Sequence, residues 1–114
     1  MVDTTKTILV VEDVVEICFQ MSEMLRKKGH QTLSAANAED AIRIAEHDHP
    51  NMILTDLDLP TFDSLVQMVR SHKELFNIPV AVIDINGDEI KPPQDVKILS
   101  DFDQLDYFLQ TCVK

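Results

Sequence analysis

Four short, largely apolar runs and a weaker fifth, most of them separated by stretches of helical period, constrain this chain more than any other feature. The first, Ile8-Leu-Val-Val11, is β-branched and ends in Glu12-Asp13. An apolar run of this length with no polar alternation reads as a strand buried on both faces, the condition of a parallel sheet. Residues 31–36 form a weaker strand; 52–55, 80–83 and 96–99 complete the set. Strands that alternate with helices imply right-handed β-α-β units, and so an α/β fold with helices on both faces of a parallel sheet.

The intervening segments carry the helical signals. Residues 14–28 place Ile17, Met21, Met24 and Leu25 at helical spacing, with Lys27 and Lys28 at the negative end and Gly29 as a stop. Asn37 is expected to cap a helix through Glu46 whose inner face is Ala38, Ala41, Ile42 and Ala45. After a loop over 60–63, a third helix is expected to turn Leu65, Met68, Val69 and Phe76 inward. The rhythm then breaks. Asn86-Gly-Asp-Glu-Ile-Lys-Pro-Pro93 holds two turn signals and no room for a three-turn helix. Asp103 opens a last helix, with Leu105, Phe108, Leu109 and Cys112 on one face. With no repeat, low-complexity stretch or linker, residues 1–114 read as a single domain.

Twenty acidic against ten basic residues give a net charge of −10. That balance argues against nucleic acid or an anionic membrane as a partner, since both select clustered Lys and Arg. It suits metal cations, basic partners or simple solubility. No apolar run approaches the ~18 residues of a membrane-spanning helix, and the N-terminus does not read as a signal peptide. A cytoplasmic chain is therefore expected, with Cys18 and Cys112 as reduced core thiols.

Three strands end in acid: the first at Glu12-Asp13, the third at Asp56, the fourth at Asp84. In open α/β sheets, ligands bind beyond the carboxyl ends of the strands. If these three strands are neighbours, their carboxylates share one crevice. Two like charges ~4 Å apart repel by about 4 kcal/mol at an effective dielectric of ~20, so a cation or proton is expected there. Each acid also has a plainer role. Asp56 and Asp58 could be solvated strand-end charges, and Asp84 could cap the turn at Asn86-Gly87. His47 and His49 fit a helix C-terminus beside Pro50 better than a metal pair; His30 and His72 read as surface residues. Val14-Val15, directly after the acid pair, suits either a partner's helix or local packing.

Ile8-Leu-Val-Val-Glu-Asp13, Asp56-Leu-Asp-Leu-Pro60 with Asp63 following, and Ile78-Pro-Val80 together resemble the receiver domain of bacterial two-component response regulators. The resemblance implies a flavodoxin-like, five-stranded parallel sheet of order 2-1-3-4-5. It implies a phosphorelay in which Asp56 accepts a phosphoryl group from the phosphohistidine of a histidine kinase or phosphotransfer partner. Mg²⁺ would be held by Asp13 directly, by Glu12 through water, by Asp56 and by the backbone carbonyl of Asp58, with Pro60 shaping the loop. A carboxylate attacks an anionic phosphoryl group only when a hard cation offsets its charge, and Mg²⁺ binds through one or two carboxylates while keeping several waters. Such a domain is not a conventional enzyme; at most it phosphorylates and dephosphorylates itself. The downstream protein partner is not legible.

The chain departs from the family pattern at three places. Asp84 stands where a receiver has Ser or Thr, Ser100 stands where it has Lys, and helix four is expected to shrink to a loop or turn. Lys91-Pro92 precedes the fifth strand and is not the missing Lys. Gly87-Asp-Glu89 and Pro92-Pro93 are similar to a short-helix-four receiver subfamily often linked to kinases of the HWE type. Both replacements make the crevice more negative, and phosphorylation adds about −1.5 to −2 charges more. The alternatives are an unphosphorylated pseudo-receiver that works by binding, and a haloacid dehalogenase-like phosphatase built on Asp56-x-Asp58. A calcium loop is rejected, because Thr61 replaces its Gly and Gln67 its Glu.

Overall fold

The structure is a computed structural model that describes residues 6–56, 61–83, 96–99, 104, 105, 107 and 108. Its strands are β1 (Thr7–Val11), β2 (Gln31–Ala35), β3 (Met52–Thr55), β4 (Val80–Ile83) and β5 (Val96–Leu99). All pair in parallel, in the order β2-β1-β3-β4-β5. The helices are α1 (Val15–Lys27), α2 (Ala38–Asp48) and α3 (Phe62–Ser71), and residues 104, 105, 107 and 108 are helical. This is the parallel α/β sheet that the alternation of runs implied, in the flavodoxin-like order that the family resemblance implied. The expected reduction of helix four falls within 84–95, outside the described residues.

Alternation along β1 splits the core in two. Leu9 and Val11 join Ile53 and Val82 under α2 and α3; Ile8 and Val10 join Met52 and Leu54 under α1 and the helical Leu105 and Phe108. Both faces of the central strands are thus covered, and β1, β3 and β4 have almost no polar interior residue. Thr55 is the exception in β3, with no exposed surface.

Local signals end the elements as expected. The Asn37 side chain accepts the Asp40 N–H at 2.9 Å and caps α2. Gly29, at φ +93°, ends the α1 unit in a backbone conformation that side chains disfavour. The helix α2 runs past Glu46 to Asp48, and His49 closes it in the left-handed region. Ala38, Ala41, Ile42 and Ala45 are buried.

Several inward-facing assignments need correction. Ile17 and Met24 are exposed, because α1 buries only the narrow seam of Met21, Ser22 and Leu25, with Cys18 partly covered. Met68 is exposed at the edge of α3. Phe76 is exposed too: α3 stops at Ser71, helical spacing lapses in the turn that follows, and Leu75 fills the core instead. His30 and His72 are half-buried, not surface residues. The His30 Nδ1 accepts the Lys6 N–H at 3.1 Å, and the His72 Nδ1 accepts the Glu74 N–H at 3.0 Å. Cys18 is a free thiol; Cys112, Leu109 and Asp103 lie outside the described residues. Among the described residues, no helix is long and apolar enough to cross a membrane.

Candidate functional site

The register of β1 against β3 pairs Val11 with Thr55. Glu12 and Asp56 are the next residues, so they leave adjacent strands at the same level, about 4.8 Å apart along the sheet. Asp13 follows Glu12 just before α1 begins. The fold therefore brings together three of the acids singled out in the sequence. Asp13 is exposed and Asp56 half-buried. Asp58, Pro60, Asp84 and Ser100, assigned as carbonyl ligand, loop-shaping residue and altered switch positions, lie outside the described residues.

Glu12 is the most constrained of the three, with 4% of its surface exposed. Its backbone N–H donates to the Ala35 carbonyl at 3.0 Å, extending the β1–β2 ladder by one residue. Its Oε1 accepts the Val14 N–H at 3.1 Å. Its Oε2 is buried and has no hydrogen-bond partner among the described residues. Burial raises the Glu12 pKa from 4.5 to about 7; the Val14 N–H pulls it down, while Asp13 and the Asp56 charge push it up.

These features fit a hard cation. The donors are all oxygens, and one is a buried carboxylate oxygen with no hydrogen-bond partner among the described residues. Among the described residues, no three His, Cys, Asp or Glu side chains form a closed metal-binding group. Mg²⁺ does not require one, since it keeps several waters and uses one or two carboxylates. A cavity of about 400 Å³ opens beside Glu12 and Asp13, walled by Val15, Cys18, Phe19 and Ala35. Val15 and Phe19 are 81% and 61% exposed, so α1 presents two large apolar side chains next to the acids.

Two threonines escaped the sequence reading. The Thr55 hydroxyl donates to the Val11 carbonyl at 3.0 Å. The Thr61 hydroxyl accepts the Ala38 N–H at 3.0 Å. A lone hydroxyl in the run Met52-Ile-Leu-Thr55 was a visible signal for the first; nothing local marked the second.

A family model described as the response regulator receiver domain matches residues 8–98. Sporulation initiation phosphotransferase F of Bacillus subtilis is 30% identical over 97 residues, covering 83% of this chain and 78% of that protein. Protein PilH of Pseudomonas aeruginosa is 29% identical over 84 residues, covering 72% of this chain and 69% of the relative. Among solved structures, the receiver domain of a sensor histidine kinase from Pseudomonas aeruginosa superimposes with a TM-score of 0.77 at 26% identity. The match covers 93% of this chain and 95% of that one, whose active site cleft coordinates a magnesium ion.

Proposed function

The chain belongs to the response regulator receiver domain family of two-component signal transduction, and on that premise we propose that Asp56 accepts a phosphoryl group from a phosphohistidine. The donor is a histidine kinase or a phosphotransfer protein. A carboxylate oxygen of Asp56 attacks phosphorus, the P–N bond to the imidazole breaks, and an acyl phosphate forms on Asp56. The convergence of Glu12, Asp13 and Asp56 at the ends of β1 and β3, with the buried Glu12 Oε2 that no described residue hydrogen-bonds, carries this reading.

Asp13 would hold Mg²⁺ directly and Glu12 through water, with Asp56 and the Asp58 carbonyl completing the protein's share. Bound Mg²⁺ supplies the positive charge that lets one anion approach another. The chain's own residues do the rest: Glu12 is fixed by its Val14 and Ala35 bonds, and Asp56 is presented at the end of β3. The exposed apolar side chains of Val15 and Phe19, beside the acids, suit a partner's helix. The domain acts as a phosphoryl acceptor and not as an enzyme on other substrates, in the cytoplasm, with no nucleic acid or membrane bound through this surface. Asp56-Leu57-Asp58 is thereby a receiver segment, not a haloacid dehalogenase motif.

Asp84 and Ser100 support a second reading, an interaction module that is not phosphorylated, since Asp84 stands where a phosphoryl group would meet a hydroxyl in other receivers and Ser100 where it would meet a cation. Labelling by acetyl phosphate or a phosphorylated kinase, with and without Mg²⁺, separates the two. Wild type should take up label only with Mg²⁺, and Asp56→Asn should take up none. Wild-type protein that binds Mg²⁺ but never labels would establish the module.

A further inference from the structure

We infer that the hydroxyls of Thr55 and Thr61 hold the Asp56 strand end against Glu12 and Asp13, which makes both threonines positioning residues of the site. This rests on the functional reading above and names further residues that serve it. Thr55 is fully buried in a strand that is otherwise aliphatic. Valine has nearly the same shape, favours strands and would bury no polar group there. What threonine adds is a directed bond to the Val11 carbonyl, at 3.0 Å. Val11 is both the register partner of Thr55 and the residue before Glu12. The same hydroxyl lies 3.5 Å from the Asp56 carbonyl. The bond thus fixes how far the two acid-bearing strand ends slide past each other.

Thr61 ties the far side. Ala38 is the first residue of α2, whose N–H has no partner inside its own helix. Asn37 serves the Asp40 N–H, and Thr61 serves Ala38 from another part of the chain. The two bonds lie on either side of Asp56 in the chain. Glu12 donates its N–H to Ala35; three residues on, Ala38 donates to Thr61; Thr61 begins the helix after the Asp56 segment; Thr55, which begins that segment, bonds back to Val11. Clustered carboxylates repel and would spread the strand ends, and these bonds resist the spread.

Valine removes each hydroxyl and keeps the shape; serine keeps the hydroxyl. Mg²⁺ affinity, measured by NMR or calorimetric titration beside a thermal melt, should fall roughly tenfold in Thr55→Val and in Thr61→Val, the low end for groups that orient metal ligands. Thr55→Ser and Thr61→Ser, which keep the hydroxyl, should bind Mg²⁺ as wild type does. Valine variants that melt earlier yet bind Mg²⁺ as wild type does would overturn the inference, because the bonds would then serve stability alone. So would serine variants as weak as the valine ones. Wild-type protein that takes up no Mg²⁺ at millimolar concentration would instead sink the functional reading, and this inference with it.

Discussion

Burial pushes the Glu12 carboxyl up to about 7 from 4.5, against the pull of the Val14 N–H. The consequence for stability has a definite sign. Below 4.5 the group is protonated folded or unfolded, and contributes no slope. Between 4.5 and about 7 the folded chain keeps a proton that the unfolded chain releases, so stability falls as pH rises. Across that window the loss is on the order of 3 kcal/mol. Glu12→Gln should flatten the slope and melt higher than wild type at pH 8, while binding Mg²⁺ more weakly. Urea titrations between pH 5 and 8 check it; an unchanged slope would mean that Glu12 is ionised throughout. The acid pair announced itself in the sequence as charge at the end of an aliphatic run. That Glu12 is buried and Asp13 exposed was not legible there, because adjacent residues differ only in what the fold lays over them.

At the scale of elements, β1, β3 and β4 were legible almost to the residue, since buried strands admit few polar side chains, whereas the partly exposed β2 gave a weaker signal. Helix faces were less so. Ala38, Ala41, Ile42 and Ala45 face inward as their spacing requires, but Ile17, Met24 and Met68 share the helical period with buried neighbours and remain outside. The width of a buried stripe depends on what packs on it, and apolar residues at its flanks are free to face solvent or a partner. The α2 start was predictable because Asn37 acts on its own helix. Asn37→Ala removes the bond to Asp40 and should destabilise the protein by about 1 kcal/mol, read as a lower melting temperature at unchanged Mg²⁺ affinity. A loss of Mg²⁺ affinity as well would show that the α2 start bears on the acid site through Asn37 too.

Across the whole molecule, the central strands are sandwiched, so neither half of the core is expendable. Leu54 is fully buried on the α1 side of β3 and next to the residue that precedes Asp56. Leu54→Ala should cost about 2–5 kcal/mol in denaturant unfolding. Two separate transitions in that experiment would contradict the single cooperative unit expected when both helical layers pack on one sheet.

The sequence by itself determined the class of fold, the parallel sheet and the acids at its strand ends, because burial on two faces and helical period are written in local residue type. Which strands are neighbours followed only by way of the family resemblance, and the tertiary structure decided at what register their ends meet. The pairing of Val11 with Thr55 brings Glu12 beside Asp56, and a hydroxyl 23 residues away in the chain caps the start of α2. Such contacts join residues distant in sequence, and no local pattern encodes the distance between them once the sheet has formed.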